Sequence, residues 1–476
     1  MKQSFAGLSA VLWFLFASVA YAQDSIPVPL TLWQRLDSLV KADLPPESAV
    51  SIAVYDLTAR DTLYAYEGDK LCRPASTMKL LTAITRLTQP DGEAPFSTEM
   101  YYTGAIERDT LFGDVYIIGG FDPEFDDTCM NQLVVALDAL PISVINGRVY
   151  GDVTMKDSLY WGTGWIWDDT PFAFQPYLSP LMFNKGKIAV RVTPNAVRGN
   201  PPTVECRPIS TYYHVRNEAL TRDPAAGRFR VTRLWLDNSN DILVTGNSTY
   251  THTTELNITD SQDFFMHTFV ERLEERGIRQ TNPYGYAPCP TDSTAQLIAR
   301  VETPMQTVLE QMLKESDNLN AEAMLCHIGV SHTGHRHISA NDGLEAMQQL
   351  IDSLGHNSKN YRLADGSGLS NYDYVSPWLL TDFLRYAYSD TDIFRHLYKA
   401  LPVAGIDGTL KNRMKGTAAY RRVHAKTGTI TGVCTLAGYL RTADNHEVAF
   451  AIMNQNFLST TKARALQDNL CALLCQ

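Results

Sequence analysis

Three short polar motifs, far apart in the chain, constrain its folding more than any other feature. They are Ser76-Thr77-Met78-Lys79, Ser316-Asp317-Asn318 and Lys426-Thr427-Gly428. Each sits where an apolar pattern begins or breaks. Ser76 opens a predicted helix to about Leu87, with Met78, Leu81, Ile84 and Thr85 on one face and Pro90-Asp91-Gly92 as its stop. Ser316–Asn318 interrupts a helix starting at Met305, whose Val308, Leu309, Met312 and Leu313 keep helical spacing; a second helix starts near Ala321. Lys426–Gly428 precedes Val433–Leu440 and Glu447–Met453, which read as a hairpin turning near Asp444-Asn445. Thr461 to Leu474 reads as a closing helix.

The 476 residues are too many for one ordinary core, so two or three domains are expected. The gap between the first and second motifs is more than twice that between the second and third. The extra length, residues 92–299, is rich in short β-like runs: Val115–Ile118, Val144–Tyr150, Ile188–Val192, Phe229–Leu236 and Ile242–Val244. Before it come a helix over Thr31–Val40 and strands over Ala49–Tyr55 and Asp61–Tyr66. The economical reading is an α/β (α+β) domain in two parts, 23–91 and 300–476, around a β-rich insertion at 92–299.

Residues 1–22 read as an export signal: Lys2, an apolar run from Phe5 to about Val19, then Ala20-Tyr21-Ala22 before Gln23. The mature chain is then expected to be a soluble periplasmic protein without an integral membrane span. A net charge of −11 argues against a nucleic-acid partner. The eight cysteines permit disulfides without choosing a pattern, and Cys72, four residues before Ser76, reads as packing.

A hydroxyl three residues before a lysine lies on the same helical face. Serine is a poor nucleophile until a base takes its proton, and lysine is such a base only if its pKa falls. Burial lowers it, and Lys426 is the natural second cation. Ser316 is placed to bond both lysines and pass a proton to the leaving amine. Asn318, with a donor and an acceptor, suits gripping a substrate peptide bond. Lys426 and Thr427 would hold a carboxylate, Gly428 would let substrate backbone lie close, and the Thr429 N–H would be an oxyanion donor. No metal or cofactor is called for: His332, His335 and His337 form a polar stretch without a completing Cys, Asp or Glu.

With these residues in hand, the chain resembles the class C low-molecular-mass penicillin-binding proteins, a D-Ala-D-Ala carboxypeptidase/endopeptidase family. The likeness extends to Gly119–Pro123, Gly162-Thr163-Gly164-Trp165-Ile166-Trp167-Asp168-Asp169, Asp365–Ser370, Asp407–Leu410 and His424–Thr429. It implies a transpeptidase/β-lactamase-like domain with two further domains inserted between the first and second motifs. It also implies action on peptidoglycan stem peptides and covalent inhibition by β-lactams at Ser76. Asp152 is the implied acidic contact in the insert. Asn371 stands where many relatives carry an arginine, with Arg73 or Arg362 as substitutes. A serine β-lactamase would need a glutamate with an asparagine four residues later; Glu322 and Glu345 are followed there by Cys326 and Gln349. A non-catalytic scaffold or β-lactam sensor is the other alternative, against which the intact Ser76, Lys79 and Lys426 speak.

Overall fold

The computed structural model describes residues 30–476; the export signal proposed at 1–22 lies outside them. One antiparallel sheet unites the two ends of the chain. Its strand order is Val423–Ile430, Val433–Arg441, Glu447–Gln455, Ala49–Asp56, Asp61–Tyr66. Ala49 pairs with Gln455 and Asp56 with Val448, so the N-terminal strands complete a sheet begun by the C-terminal hairpin. The inner strands read as near-continuous apolar runs because both faces are covered.

Helices Leu32–Asp43 and Thr460–Leu474 share one core with this sheet, through Leu36, Val40, Leu466 and Leu470. A second core holds the helices Met78–Thr88, Met305–Lys314, Asn318–Thr333, Ala340–Ser353, Pro377–Ser389 and Thr391–Ala400. Met78–Thr88 lies at its centre. Every residue from Met78 to Arg86 is buried, so this helix has no solvent face, where the sequence pattern pointed to one apolar side. The α-helix also starts later than Ser76: Ala75–Thr77 is a single 3₁₀ turn feeding into it.

The segment between the strands Phe96–Tyr102 and Gln296–Thr303, which pair antiparallel, has its own core and four sheets. Two of its helices were not foreseen from the sequence. Asp127–Asp138 is started by Asp126, whose side chain accepts from the Thr128 and Cys129 amides, and Ser261–Glu275 by Asp260. Both carry β-branched or aromatic residues that obscure a helical period. The Val144–Tyr150 run is split by Asn146-Gly147 into Val144–Ile145 and Val149–Asp152. The Phe229–Leu236 run stops at Arg233, where a 3₁₀ turn over Trp235–Asp237 leads to left-handed Asn238. All eight cysteines are free thiols, and Cys72 is buried with its thiol 3.5 Å from the Ser51 hydroxyl.

Candidate active site

The three motifs meet at one cleft. Ser76 sits on the 3₁₀ turn, half-buried, beside Lys79 on the first turn of the buried helix. Ala75 takes a left-handed φ of 46°, which aims the turn; an alanine there costs about 1 kcal/mol. The carbonyl of Ala75 lies 1.8 Å from where a side chain on Gly368 would begin, so only glycine fits opposite. Ser316 also has a left-handed φ, of 63°, at the break between Met305–Lys314 and Asn318–Thr333. Two residues bearing or flanking the chemistry thus hold conformations that non-glycine residues avoid.

The Lys79 ammonium donates to Ser76 Oγ (3.0 Å), Asn318 Oδ1 (2.6 Å) and the Ser367 carbonyl (2.8 Å). Burial lowers its pKa to about 8, against the pull of nearby Asp365, Glu322, Asp317 and Asp373. Lys426 donates to Ser316 Oγ (2.8 Å) and the Thr427 carbonyl (2.7 Å). Burial first, and the field of Lys79 second, hold Lys426 well below the ordinary lysine value. Burial and a second cation were both expected from the sequence to lower Lys79; burial is the lowering cause there, and the repulsion between the two lysines tells on Lys426.

Several expected roles change. Ser316 bonds Lys426, and Lys79 turns instead to Asn318. Asn318 is occupied within the protein at both ends, since its Nδ2 donates to the Phe174 carbonyl at 2.7 Å. It orients Lys79, ties it to the insert and also lines the cavity at Ser76, with one N–H and one lone pair of its amide not used in these bonds. A side chain on Gly428 would start 2.2 Å from Thr435 Oγ1, 2.9 Å from the Pro74 carbonyl and 2.9 Å from the Ser76 amide. What lies close against that glycine is the turn carrying the nucleophile. Thr427 donates to Thr409 Oγ1 at 2.8 Å, and Thr429 lines the cleft beside Ser76. Asp152 is not brought to the cleft. It is buried at the end of Val149–Asp152, accepting from the Thr154 amide and hydroxyl and from the Cys289 amide, so it braces the insert.

Other parts of the site were missed by sequence reasoning. Asp317 caps the Asn318–Thr333 helix and pairs with Lys185 at 2.7 Å; Lys185 also holds Glu124 at 2.5 Å. Burial works against the Asp317 charge, yet the Lys185 ammonium holds its pKa below the usual range. Asp365 fixes the loop whose Ser367 carbonyl receives Lys79: it accepts from the Gly368 amide (2.6 Å), the Ser370 amide (2.8 Å) and Trp165 Nε1 (2.8 Å). Glu322 and Asp373 lie buried nearby, both pushed upward by burial and then by the Asp365 charge. The Glu322 carboxylate accepts from the Gly366 amide and lines neither cavity at Ser76. Acidic residues at unremarkable spacings give no sequence signal of such a cluster.

Two cavities open on either side of Ser76 and Ser316. One, of about 310 Å³, is walled by Ile166, Asp169, Phe174, Asn371 and Thr431. Asn371 accepts from Arg73 at 3.3 Å, so that guanidinium stands behind the asparagine, while Arg362 packs over the Tyr372 ring. The other, of about 440 Å³, is walled by Thr409, Lys411, Arg413, Thr427 and Arg464, with no carboxylate in its wall. The cleft thus carries one carboxylate, Asp169, on one side of the nucleophile, and Lys411, Arg464 and an Arg413 already paired with Asp468 on the other.

Residues 32–476 match the model of the D-Ala-D-Ala carboxypeptidase 3 (S13) family. The chain is 32% identical over 483 residues to a D-alanyl-D-alanine carboxypeptidase of Actinomadura sp. (strain R39), covering 97% of this chain and 88% of that protein. It is 24% identical over 412 residues to D-alanyl-D-alanine carboxypeptidase DacB of Haemophilus influenzae, covering 86% and 85%. The crystal structure of penicillin-binding protein 4 from Haemophilus influenzae superposes with a TM-score of 0.80 at 24% identity, over 92% of this chain and 99% of that one. The same protein complexed with a β-lactam gives 0.75 at 22% identity, over 92% and 98%. The α/β penicillin-recognising fold expected from the motifs is the one found.

Proposed function

The chain belongs to the D-Ala-D-Ala carboxypeptidase 3 (S13) family, and on that premise we propose that it hydrolyses D-Ala-D-Ala termini of peptidoglycan stem peptides through an acyl-enzyme on Ser76. It is a serine hydrolase of the carboxypeptidase class. The observation that carries the roles is the bond from Lys79 Nζ to Ser76 Oγ at 3.0 Å, with Lys79 buried and its pKa lowered to about 8.

Neutral Lys79 takes the Ser76 proton as Oγ attacks the carbonyl carbon of the penultimate D-Ala. The oxyanion forms against the Ser76 and Thr429 amides, beside the start of the central helix. The C–N bond breaks as the amine takes a proton relayed from Lys426 through Ser316, bonded to each other at 2.8 Å. The terminal carboxylate lies toward Lys426 and Thr427, where its negative charge favours the protonated lysine. Water then cleaves the ester: Lys426, now neutral, takes the water's proton through Ser316, and Lys79 returns its proton to Ser76 Oγ, giving the shortened peptide, free Ser76 and both lysines in their starting states. A β-lactam acylates the same hydroxyl by ring opening and stays. The Haemophilus influenzae relative in complex with a β-lactam supports this extension.

Cleavage of D-Ala-to-diaminopimelate cross-links is part of the same reading. The 440 Å³ cavity exceeds what a single D-Ala fills, and Lys411 and Arg464 in its wall suit a leaving peptide with further carboxylates. Asp169 on the opposite wall suits an amino group on the acyl side. The chain divides, in this reading, into a catalytic domain in two parts and an insert whose seam is the Phe96–Thr303 strand pairing. The export pattern at 1–22 and this cell-wall substrate together point to a periplasmic location. Among the described residues no helix is long and apolar enough to cross a membrane. Purified protein on isolated sacculi, with mass spectrometry of the products, tests the function. Release of D-Ala and monomeric muropeptides by the wild type and not by Ser76→Ala supports it; equal release by Ser76→Ala refutes it.

A further inference from the structure

The segment walling the 310 Å³ cavity is also the densest exposed apolar stretch of the described surface. Ile166, Trp167, Phe172 and Phe174 are all at least 41% exposed within nine residues, and Trp167 reaches 68%. Trp167 packs against Trp235 (ring centroids 4.6 Å apart), beside which Leu236 is 68% exposed. The Phe172 and Phe174 rings lie 9° from parallel at 5.5 Å. Side chains this large normally turn inward, and a cluster of them on a surface marks a contact site.

The backbone that presents them is tied down at several points. Trp165 Nε1 donates to Asp365 (2.8 Å), Asn318 Nδ2 to the Phe174 carbonyl (2.7 Å) and Arg233 to the Thr170 carbonyl (3.3 Å). The rings are thus preorganised, and two of the three bonds lead directly to residues of the catalytic loops. Between the aromatic pairs, Asp168 is exposed and pairs with no cation among the described residues, while Asp169 faces the cavity. Aromatic faces beside carboxylate acceptors match a sugar ring, whose C–H face stacks on the rings and whose hydroxyl and amide N–H groups donate to the oxygens. The two aspartates disfavour an anionic lipid surface at the same place.

Position selects among sugars. Ile166 and Phe174 line both the cavity at Ser76 and the edge of the aromatic patch. A stem peptide held by its D-Ala end runs out of the cavity across this edge, and its other end is joined to a glycan strand. We propose that Trp167, Trp235, Phe172 and Phe174 form a carbohydrate subsite for the amino-sugar strand bearing the substrate peptide. The inference rests on the stem-peptide reading above.

The test compares D-Ala release by the full chain from a free stem pentapeptide and from the same peptide on its disaccharide. Active sites are counted by penicillin titration so that misfolded protein drops out. The wild type is expected to favour the disaccharide-bearing substrate by roughly three- to tenfold in kcat/KM, the worth of one or two stacked rings. Trp167→Ala with Phe172→Ala brings that ratio to about one. Peptide-free glycan strands quench tryptophan fluorescence of the wild type and not of Trp167→Ala combined with Trp235→Ala. A wild-type ratio of one, or a ratio unmoved by the substitutions, overturns the inference. So does finding that the patch instead drives binding to anionic vesicles or a dimer that the substitutions dissolve. Absence of D-Ala release from the free peptide by the wild type strikes the proposed function itself and is read separately.

Discussion

The pH dependence of acylation tests the assignment of Lys79 most closely. Lys79 must be neutral to accept the Ser76 proton, so the rate rises with pH through its pKa and levels off above it for as long as the bound carboxylate keeps Lys426 protonated. The ordinary lysine value is 10.5, and burial brings Lys79 to about 8. That difference is worth about 3 kcal/mol in favour of the neutral form. At pH 7 it raises the neutral fraction from about 0.03% to about 10%, some 300-fold. The perturbation is pH itself, applied between about 6 and 10 in stopped-flow acylation by a fluorescent penicillin. The expected curve climbs close to tenfold per unit at first, bends near pH 8 and is flat by about pH 9, a total rise of roughly 90-fold from pH 6 to 9. A rate still rising tenfold per unit between pH 9 and 10 would mean a base with an unshifted pKa and refute the reasoning. A flat profile from pH 6 upward would remove Lys79 as the titrating base.

Gly428→Ala puts a methyl 2.2 Å from Thr435 Oγ1 and 2.9 Å from the Ser76 amide, displacing the nucleophile's turn. Acylation should fall by roughly a hundredfold while the melting temperature drops only a few degrees, read by penicillin labelling and calorimetry. Lys185→Met leaves Asp317 and Glu124 partly buried without their shared cation and should cost about 2–3 kcal/mol in urea unfolding, with an unchanged m-value. Asn318→Ala frees the Lys79 ammonium from its 2.6 Å partner and cuts the bond to Phe174. It should slow acylation at least tenfold, and the loss should persist at pH 9, which separates misplacement of the base from a change in its protonation.

The sequence carried the chemistry further than the geometry. Ser76, Lys79, Ser316 and Lys426 were legible because acyl transfer needs a nucleophile, a base and a relay in local settings that periodicity reveals. The closing hairpin and the helix at Met305 followed from apolar spacing alone. Gly428 was assigned to the substrate because sequence cannot reveal that the turn carrying the nucleophile fills its steric space, and the bonds of Asn318 with Lys79 and Phe174 were equally hidden. The helices Asp127–Asp138 and Ser261–Glu275 were hidden by β-branched and aromatic residues, although Asp126 and Asp260 are acceptable caps. Lys185, Asp365 and the burial of Lys79 are properties of contacts between segments far apart in the chain. Asp152 is an instance of the reverse, an acidic residue whose local setting resembled a contact and whose carboxylate is spent on the insert's own backbone.

The central claim is that Ser76, activated by Lys79, is the residue that becomes acylated. Intact-mass and peptide-mapping mass spectrometry of the protein after brief exposure to benzylpenicillin measures this directly. One drug mass per chain, mapped to Ser76 and missing from Ser76→Ala, is the predicted result. An adduct on another residue, or one that survives in Ser76→Ala, contradicts it.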